Sequence, residues 1–174
     1  MRGTTLKGTP VLIDDASDVL IDDIDTDQIY HNAHLAVTDP QEMAQYAFGN
    51  LEGWHDFPQR AKPGDILFVG ENFGAGSSRQ HAVDCFIALG IAAIVGRSFG
   101  AIYRRNAINS GLPLLILPDG PPAALKDTSR VTLNLETGEI SGPNGVLTRA
   151  QPMSKVALDI YHTGGLLKGD CPSF

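Results

Sequence analysis

Short apolar runs alternate with segments of helical spacing through the middle of the chain. The apolar runs that predict buried strands cover residues 66–69, 91–95 and 112–117. Between them, residues 82–89 and 99–107 place apolar side chains three and four positions apart, and Gly90 and Gly111 follow as helix ends. This strand-helix-strand-helix-strand order predicts parallel strands joined by right-handed crossovers. We therefore expect an α/β fold.

The two ends of the chain predict further elements around this block. They are a strand at residues 11–13, a helix that begins after Thr38 or Asp39, a hairpin over residues 131–141 and an amphipathic helix over residues 153–161. Neither a repeat nor a linker separates these elements. We expect a single domain over residues 1–174.

Residues 14–27 are the most acidic part of the chain, and residues 29–37 show no clear periodicity. The acidic part lacks the central glycine and closing glutamate of an EF-hand, so turn and helix-capping roles are preferred over a calcium loop. His31 and His34 would share one face of a helix, but the sequence places no third metal ligand near them. We interpret residues 29–37 as a mobile loop that faces a ligand.

Composition and charge exclude several classes of protein. The 174 residues are 43% hydrophobic and 19% charged, and the formal net charge is −7, which disfavours a general nucleic-acid or membrane-surface role. We find no signal peptide and no apolar run that could span a bilayer, so a cytoplasmic location is expected. Cys85 and Cys171 do not form a metal-ligand pattern and are expected to stay reduced.

Residues 70–82, here called the glycine loop, lie between a predicted strand and a predicted helix. Glycines such as Gly74 and Gly76 allow positive φ angles and a close approach of the backbone to a ligand. The helix that follows directs free N–H groups toward the loop, and Arg79 adds a planar fork that matches a carboxylate. The loop therefore predicts a site for a small acidic molecule.

Four segments of the sequence resemble the swivel domain of the aconitase and isopropylmalate isomerase family. They are Asn72-Phe73-Gly74-x-Gly76-Ser77-Ser78-Arg79-x-His81-Ala82, residues 23–29, residues 98–113 and residues 133–140. The family usually has glutamate at the position of Gln80 and often cysteine at that of Ala75. The resemblance covers nearly the whole chain and implies a swivelling β/β/α fold, a mixed sheet with flanking helices.

The resemblance also implies an activity. The family dehydrates and rehydrates 2-hydroxy and 3-hydroxy acids, and Ser77 is by resemblance the base, with Ser78 and Arg79 holding a substrate carboxylate. Residues 34–37, which are His34, Leu35, Ala36 and Val37, match the loop that reads the variable group of the substrate. A [4Fe-4S] cluster is implied on a separate large subunit, in a heterodimer or heterotetramer, with no cofactor or metal on this chain.

The resemblance, together with the charge of this loop, also favours one class of substrate. Residues 30–37 contain no arginine or lysine, whereas relatives that accept an extra carboxylate carry an arginine in this loop. An alkyl-malate such as isopropylmalate, an intermediate of leucine biosynthesis, is therefore favoured. Related substrates such as homocitrate or a methylated malate, and a non-catalytic scaffold subunit, remain alternatives.

Other residues of these motifs have structural interpretations. His81 is expected to be a hydrogen-bonded structural residue, and Arg104 and Arg105 a surface or interface pair. A nucleotide-binding module is disfavoured, because the glycine loop lacks the lysine of a P-loop.

Overall fold

The strands within residues 1–167 divide into two sheets of four. The computed structural model describes residues 1–167. Its strands are β1 (Thr5–Gly8), β2 (Pro10–Leu12), β3 (Ile66–Val69), β4 (Ala93–Gly96), β5 (Leu114–Ile116), β6 (Val131–Asn134), β7 (Glu139–Gly142) and β8 (Gly145–Arg149). One sheet is parallel with the order β2-β3-β4-β5, and the other is antiparallel with the order β1-β6-β7-β8.

Six helices accompany the sheets within residues 1–167. They are α1 (Thr26–Ile29), α2 (Pro40–Ala44), α3 (Phe57–Arg60), α4 (His81–Ala88), α5 (Ala101–Asn109) and α6 (Lys155–Thr163), with 3-10 turns at Asn32–His34 and Ala123–Leu125. Helices α4 and α5 are the crossovers of the parallel sheet, since α4 joins β3 to β4 and α5 joins β4 to β5. No helix in this range combines the length and apolar character that a membrane crossing requires.

The parallel sheet has a hydrophobic core on each face because its side chains alternate. On one face, Leu67 and Ile94 join a cluster of aromatic residues that includes Phe86 of α4. On the other face, Phe68 and Val95 join a cluster shared with the antiparallel sheet and α6. The order of layers is therefore helices, parallel sheet, antiparallel sheet. The expected β/β/α fold is confirmed, with the parallel and antiparallel strands in separate sheets.

Most predicted elements are present, and two edge strands were missed. The strand-helix-strand-helix-strand block, the hairpin β6–β7 and the terminal helix α6 lie where the sequence placed them. Strands β1 and β8 were not predicted, because each lies at an edge of the antiparallel sheet and is largely exposed. The single domain over residues 1–174 stays a prediction, because residues 168–174, including Cys171, lie outside the described part.

The acidic stretch and the segment after it contain more regular structure than expected. Asp25 caps α1, accepting from the Gln28 backbone N–H at 2.8 Å while the Gln28 side chain accepts from the Asp25 N–H at 3.0 Å. This reciprocal capping box confirms the predicted capping role. The expectation of an irregular segment over residues 29–37 is corrected by α1 and the 3-10 turn Asn32–His34; its mobility stays a prediction.

We expect the core behind α4 to dominate the stability of the fold. Phe86 is fully buried and its ring centroid lies 5.1 Å from that of Phe48, so Phe86→Ala should lower the free energy of unfolding by about 3–5 kcal/mol. The adjacent Ile87 is 41% exposed, and Ile87→Ala should cost under about 1 kcal/mol. Urea unfolding of both variants measures the difference. Equal losses of unfolding free energy in the two variants would show that the core behind α4 does not dominate the stability of the fold.

Candidate active site

The glycine loop is fixed to the acidic segment before it by paired backbone hydrogen bonds. The Gly74 N–H donates to the Ile24 carbonyl at 2.7 Å, and the Thr26 N–H donates to the Ala75 carbonyl at 2.9 Å. Asp25 and Ala75 thus form an isolated parallel bridge. These contacts hold the loop beside the start of α1, about fifty positions away in sequence.

The other side of the glycine loop is fixed to the turn that precedes α5. The Phe73 N–H donates to the Ser98 carbonyl at 3.1 Å, and the Gly100 N–H donates to the Phe73 carbonyl at 2.9 Å. The Ser98 hydroxyl accepts from the Asn72 N–H at 2.7 Å. Three of the recognised segments therefore meet beyond the carboxyl ends of β3 and β4, where ligands commonly bind to parallel sheets.

The two predicted loop glycines have different roles. Gly74 has a φ of 76°, and a Cβ there would overlap the ring of Tyr103. Its N–H is already donated to Ile24, so it is not free to bind an anion. Gly76 has a φ of 98° and is exposed. Within residues 1–167, the N–H groups of Gly76, Ser77 and Ser78 donate to no protein acceptor, which leaves them open to a ligand.

Ser77 and Ser78 are exposed, and each hydroxyl contacts one side chain. The Ser77 Oγ lies 3.4 Å from the Thr26 Oγ1, a distance at which either hydroxyl could donate. The Ser78 Oγ accepts from the Asn106 Nδ2 of α5 at 3.2 Å. The two serines thus lie at the surface, and each is held by one side chain, Thr26 of α1 or Asn106 of α5.

Arg79 is held by contacts on the side of the acidic segment. Its Nη1 donates to the Asp27 Oδ1 at 2.9 Å and to the Tyr30 carbonyl at 2.8 Å, and its side chain is 13% exposed. The hydrogen bond from Arg79 lowers the pKa of the Asp27 carboxyl below its ordinary value. Among the described residues, none accepts from the Arg79 Nη2 or Nε, so a carboxylate could still be bound by these nitrogens.

Residues 34–37 lie next to the glycine loop but face different ways. The His34 ring stacks on Tyr46 with centroids 3.8 Å apart, and Val37 packs against the core. Leu35 is 41% exposed, and Ala36 is also exposed. Of the four residues of this segment that were predicted to bind substrate, Leu35 and Ala36 therefore remain free to meet a ligand, while His34 and Val37 make contacts within the protein.

Comparison with known proteins identifies the family. The model of the aconitase C-terminal domain matches residues 17–119, which include the glycine loop and both segments that hold it. The chain belongs to the aconitase C-terminal domain family. The 3-isopropylmalate dehydratase small subunit 1 of Methanopyrus kandleri is 40% identical over 148 residues, covering 84% of this chain and 85% of that one.

Two further comparisons agree with this membership. The isopropylmalate/citramalate isomerase small subunit of Methanocaldococcus jannaschii is 39% identical, covering 83% of this chain and 84% of its own length. The crystal structure of 3-isopropylmalate dehydratase from the same organism superposes with a TM-score of 0.77 at 32% identity, covering 94% of this chain and 92% of that one. The recognition from sequence is thereby confirmed.

The two residues that follow Arg79 in the sequence make hydrogen bonds within the protein. The His81 Nε2 lies 3.0 Å from the Val37 carbonyl, which can only accept, so this nitrogen is the donor. The contact fits the structural role that the sequence analysis expects for His81. The Gln80 Nε2 donates to the Asp84 Oδ1 at 2.9 Å and to the Ser110 Oγ at 2.8 Å. A glutamate at position 80 would lack this donor and would repel Asp84, so the neighbours suit the glutamine.

The residues of this chain do not fit an iron-sulfur cluster. Cluster ligation requires several cysteine thiolates, and the sequence has two cysteines. Cys85 is fully buried in α4, and burial raises the pKa of its thiol. Within residues 1–167, no three His, Cys, Asp or Glu side chains are grouped so that they could hold a metal ion.

Sequence reasoning missed three residues that contact the predicted site. Thr26 and Asp27 lie in the acidic segment, where only turn and capping roles were assigned, and Asn106 lies on α5. Asp27 carries a charge opposite to that of Arg79, and this could have indicated the ion pair from the sequence. Thr26 and Asn106 give no such signal, because their proximity to Ser77 and Ser78 depends on the folded chain.

The ion pair of Asp27 with Arg79 predicts a pH-dependent stability. Because the folded-state pKa of Asp27 is lowered, its contribution is present above the unfolded pKa of about 3.9 and is lost as pH falls through the folded value. The difference in unfolding free energy between wild type and Asp27→Asn should therefore shrink below about pH 4. In an Arg79→Gln background this pH dependence should be reduced; an unchanged dependence would contradict the pairing.

Proposed function

We propose that this chain is the small subunit of a hydro-lyase that interconverts 2-hydroxy and 3-hydroxy acids, with 3-isopropylmalate as the best-supported substrate. The observation that carries the proposal is the exposed pair Ser77 and Ser78, flanked by amides without protein acceptors. The names of the relatives support the substrate. We place the reaction in leucine biosynthesis, in the cytoplasm.

Ser77 acts as the base in this proposal. In its deprotonated form it accepts the proton from the carbon next to a carboxylate, and the electron pair of that C–H bond forms the C=C bond. The hydroxyl group leaves the neighbouring carbon, and the cluster of the large subunit would supply the Lewis acid that takes it up. A serine hydroxyl is a weak acid, so its deprotonated form needs stabilisation by fixed donors. The loop amides and the start of α4 supply positive partial charge at this place.

The substrate carboxylate is bound by Ser78 and Arg79. The Ser78 hydroxyl is oriented by Asn106, and the Arg79 Nη2 and Nε are the remaining donors of a fork whose Nη1 is held by Asp27. The pairing with Asp27 fixes the guanidinium in place before substrate arrives. A fixed donor group loses less conformational entropy on binding than a free arginine does.

A large subunit completes the site. The relatives are called small subunits, and Ser77 and Ser78 lie at the surface, where a second protein can cover them. Since the cysteines of this chain cannot ligate a [4Fe-4S] cluster, we place the cluster of the enzyme on the large subunit. Both a heterodimer and a heterotetramer fit this proposal.

The variable group of the substrate is apolar. Leu35 and Ala36 are the exposed residues of segment 34–37, here called the specificity segment. Residues 30–37 supply no arginine or lysine to pair with a third carboxylate. Burying an unpaired carboxylate there would cost several kcal/mol. Isopropylmalate therefore fits better than citrate or homocitrate. A methylated malate is the second candidate, because one relative is named as an isopropylmalate/citramalate isomerase.

Ser77→Ala should remove turnover while leaving the fold and the assembly intact. Loss of a proton-transferring group lowers the rate by about 10²–10⁴-fold or more, and truncation of an exposed serine costs little stability. The reconstituted complex is assayed with isopropylmalate, and the isolated chain, as a control, should be inactive. Ser78→Ala should act mainly on KM. Retention of more than a tenth of wild-type kcat by Ser77→Ala would disprove the base assignment.

Substrate preference tests the role of the specificity segment. The reconstituted enzyme should show higher kcat/KM for isopropylmalate and a methylated malate than for citrate and homocitrate. Ala36→Arg should shift preference toward the tricarboxylates, because it supplies a partner for the third carboxylate. Ala33→Arg adds the same charge at an exposed position of the 3-10 turn and should shift it less. A clear wild-type preference for either tricarboxylate would refute the assignment.

A further inference from the structure

Within residues 1–167, the Thr26 hydroxyl contacts one polar side-chain atom, the Ser77 Oγ at 3.4 Å. Thr26 is 3% exposed, so its hydroxyl cannot turn freely to water. A buried hydroxyl without a hydrogen bond is unfavourable. Among the described residues, the Ser77 hydroxyl is therefore the group placed to pair with the Thr26 hydroxyl.

The secondary structure around Thr26 does not require this hydroxyl. Helix α1 is capped by the Asp25 side chain, and the Thr26 backbone N–H is donated to the Ala75 carbonyl. Its backbone carbonyl accepts from the Tyr30 N–H at 3.0 Å, within the first turn. Both backbone groups of Thr26 are thus paired, and the side-chain hydroxyl is free to contact the glycine loop.

We propose that Thr26 is a positioning residue for Ser77: its hydroxyl holds the Ser77 Oγ and donates a hydrogen bond to it when Ser77 has lost its proton. The inference rests on the proposed function, in which Ser77 is the base. A deprotonated Ser77 oxygen can only accept, so the Thr26 hydroxyl becomes the donor. Hydrogen bonds to ionised oxygens are shorter and stronger than those to neutral ones, and Thr26 therefore favours the deprotonated form.

The distance sets the size of the expected effect. Loss of a full oxyanion donor lowers turnover by about 10²–10³-fold, and a contact of 3.4 Å is long for a bond between hydroxyls. We expect Thr26→Val to lower kcat by about tenfold to a hundredfold with little change in KM, since the proposal assigns Thr26 a contact with Ser77 and none with the substrate. The rising limb of the kcat–pH profile should move to higher pH, because Ser77 becomes harder to deprotonate.

The experiment uses the complex reconstituted with the large subunit. Thr26→Val and Thr26→Ala remove the hydroxyl, and Thr26→Ser keeps it. Each is measured for kcat, KM, pH profile and assembly by size-exclusion chromatography. Thr26→Ser should retain most of the activity and the wild-type pH profile. Combined with Ser77→Ala, Thr26→Val should cause no further loss beyond that of Ser77→Ala alone, because its effect passes through the Ser77 oxygen.

The possible outcomes separate this inference from the proposed function. Full activity in Ser77→Ala would refute the base assignment, and with it the inference. An inactive Ser77→Ala with a Thr26→Val of wild-type kcat and pH profile would refute only the inference. A further loss from Thr26→Val in the Ser77→Ala background, or failure of both hydroxyl-free variants to assemble, would show a purely structural Thr26 and would also overturn it.

Discussion

The candidate active site depends on the pairing of two backbone segments that are far apart in the sequence. The Gly74 N–H and the Ala75 carbonyl pair with Ile24 and Thr26, so the glycine loop is held like a short strand beside the acidic segment. Each such bond contributes about 0.5–1.5 kcal/mol, but leaving buried backbone groups unpaired would cost more. This pairing brings Thr26 to Ser77 and Asp27 to Arg79.

The division of the strands into two sheets supports that pairing. The parallel sheet is covered on both faces, by helices on one side and by the antiparallel sheet on the other, and its strands are therefore apolar throughout. The connections beyond β3 and β4 emerge at one edge of this buried layer. A rigid layer behind exposed loops lets Ser77 and Ser78 remain at the surface without losing their orientation.

In the proposed function, an acidic protein would bind an acidic substrate. With a net charge of −7, the chain offers an anion no general electrostatic attraction. The donors at the glycine loop are local: the amides of residues 76–78, the two serine hydroxyls and the Arg79 guanidinium. Asp27 neutralises part of the charge of Arg79 and fixes its orientation at the same time. In the proposed function, these local donors would bind the anion despite the negative net charge of the chain.

Periodicity and motifs in the sequence alone determined the class of fold, the crossover block, the glycine loop and the family. Helical spacing and apolar runs arise from local burial, and so they are visible without a structure. Tertiary structure alone decided that Gly74 serves packing against Tyr103, that Val37 faces the core, and that β1 and β8 complete the second sheet. It also decided that Thr26 and Asn106 contact the two serines, because contacts between distant segments depend on how the layers pack and leave no local pattern in the sequence.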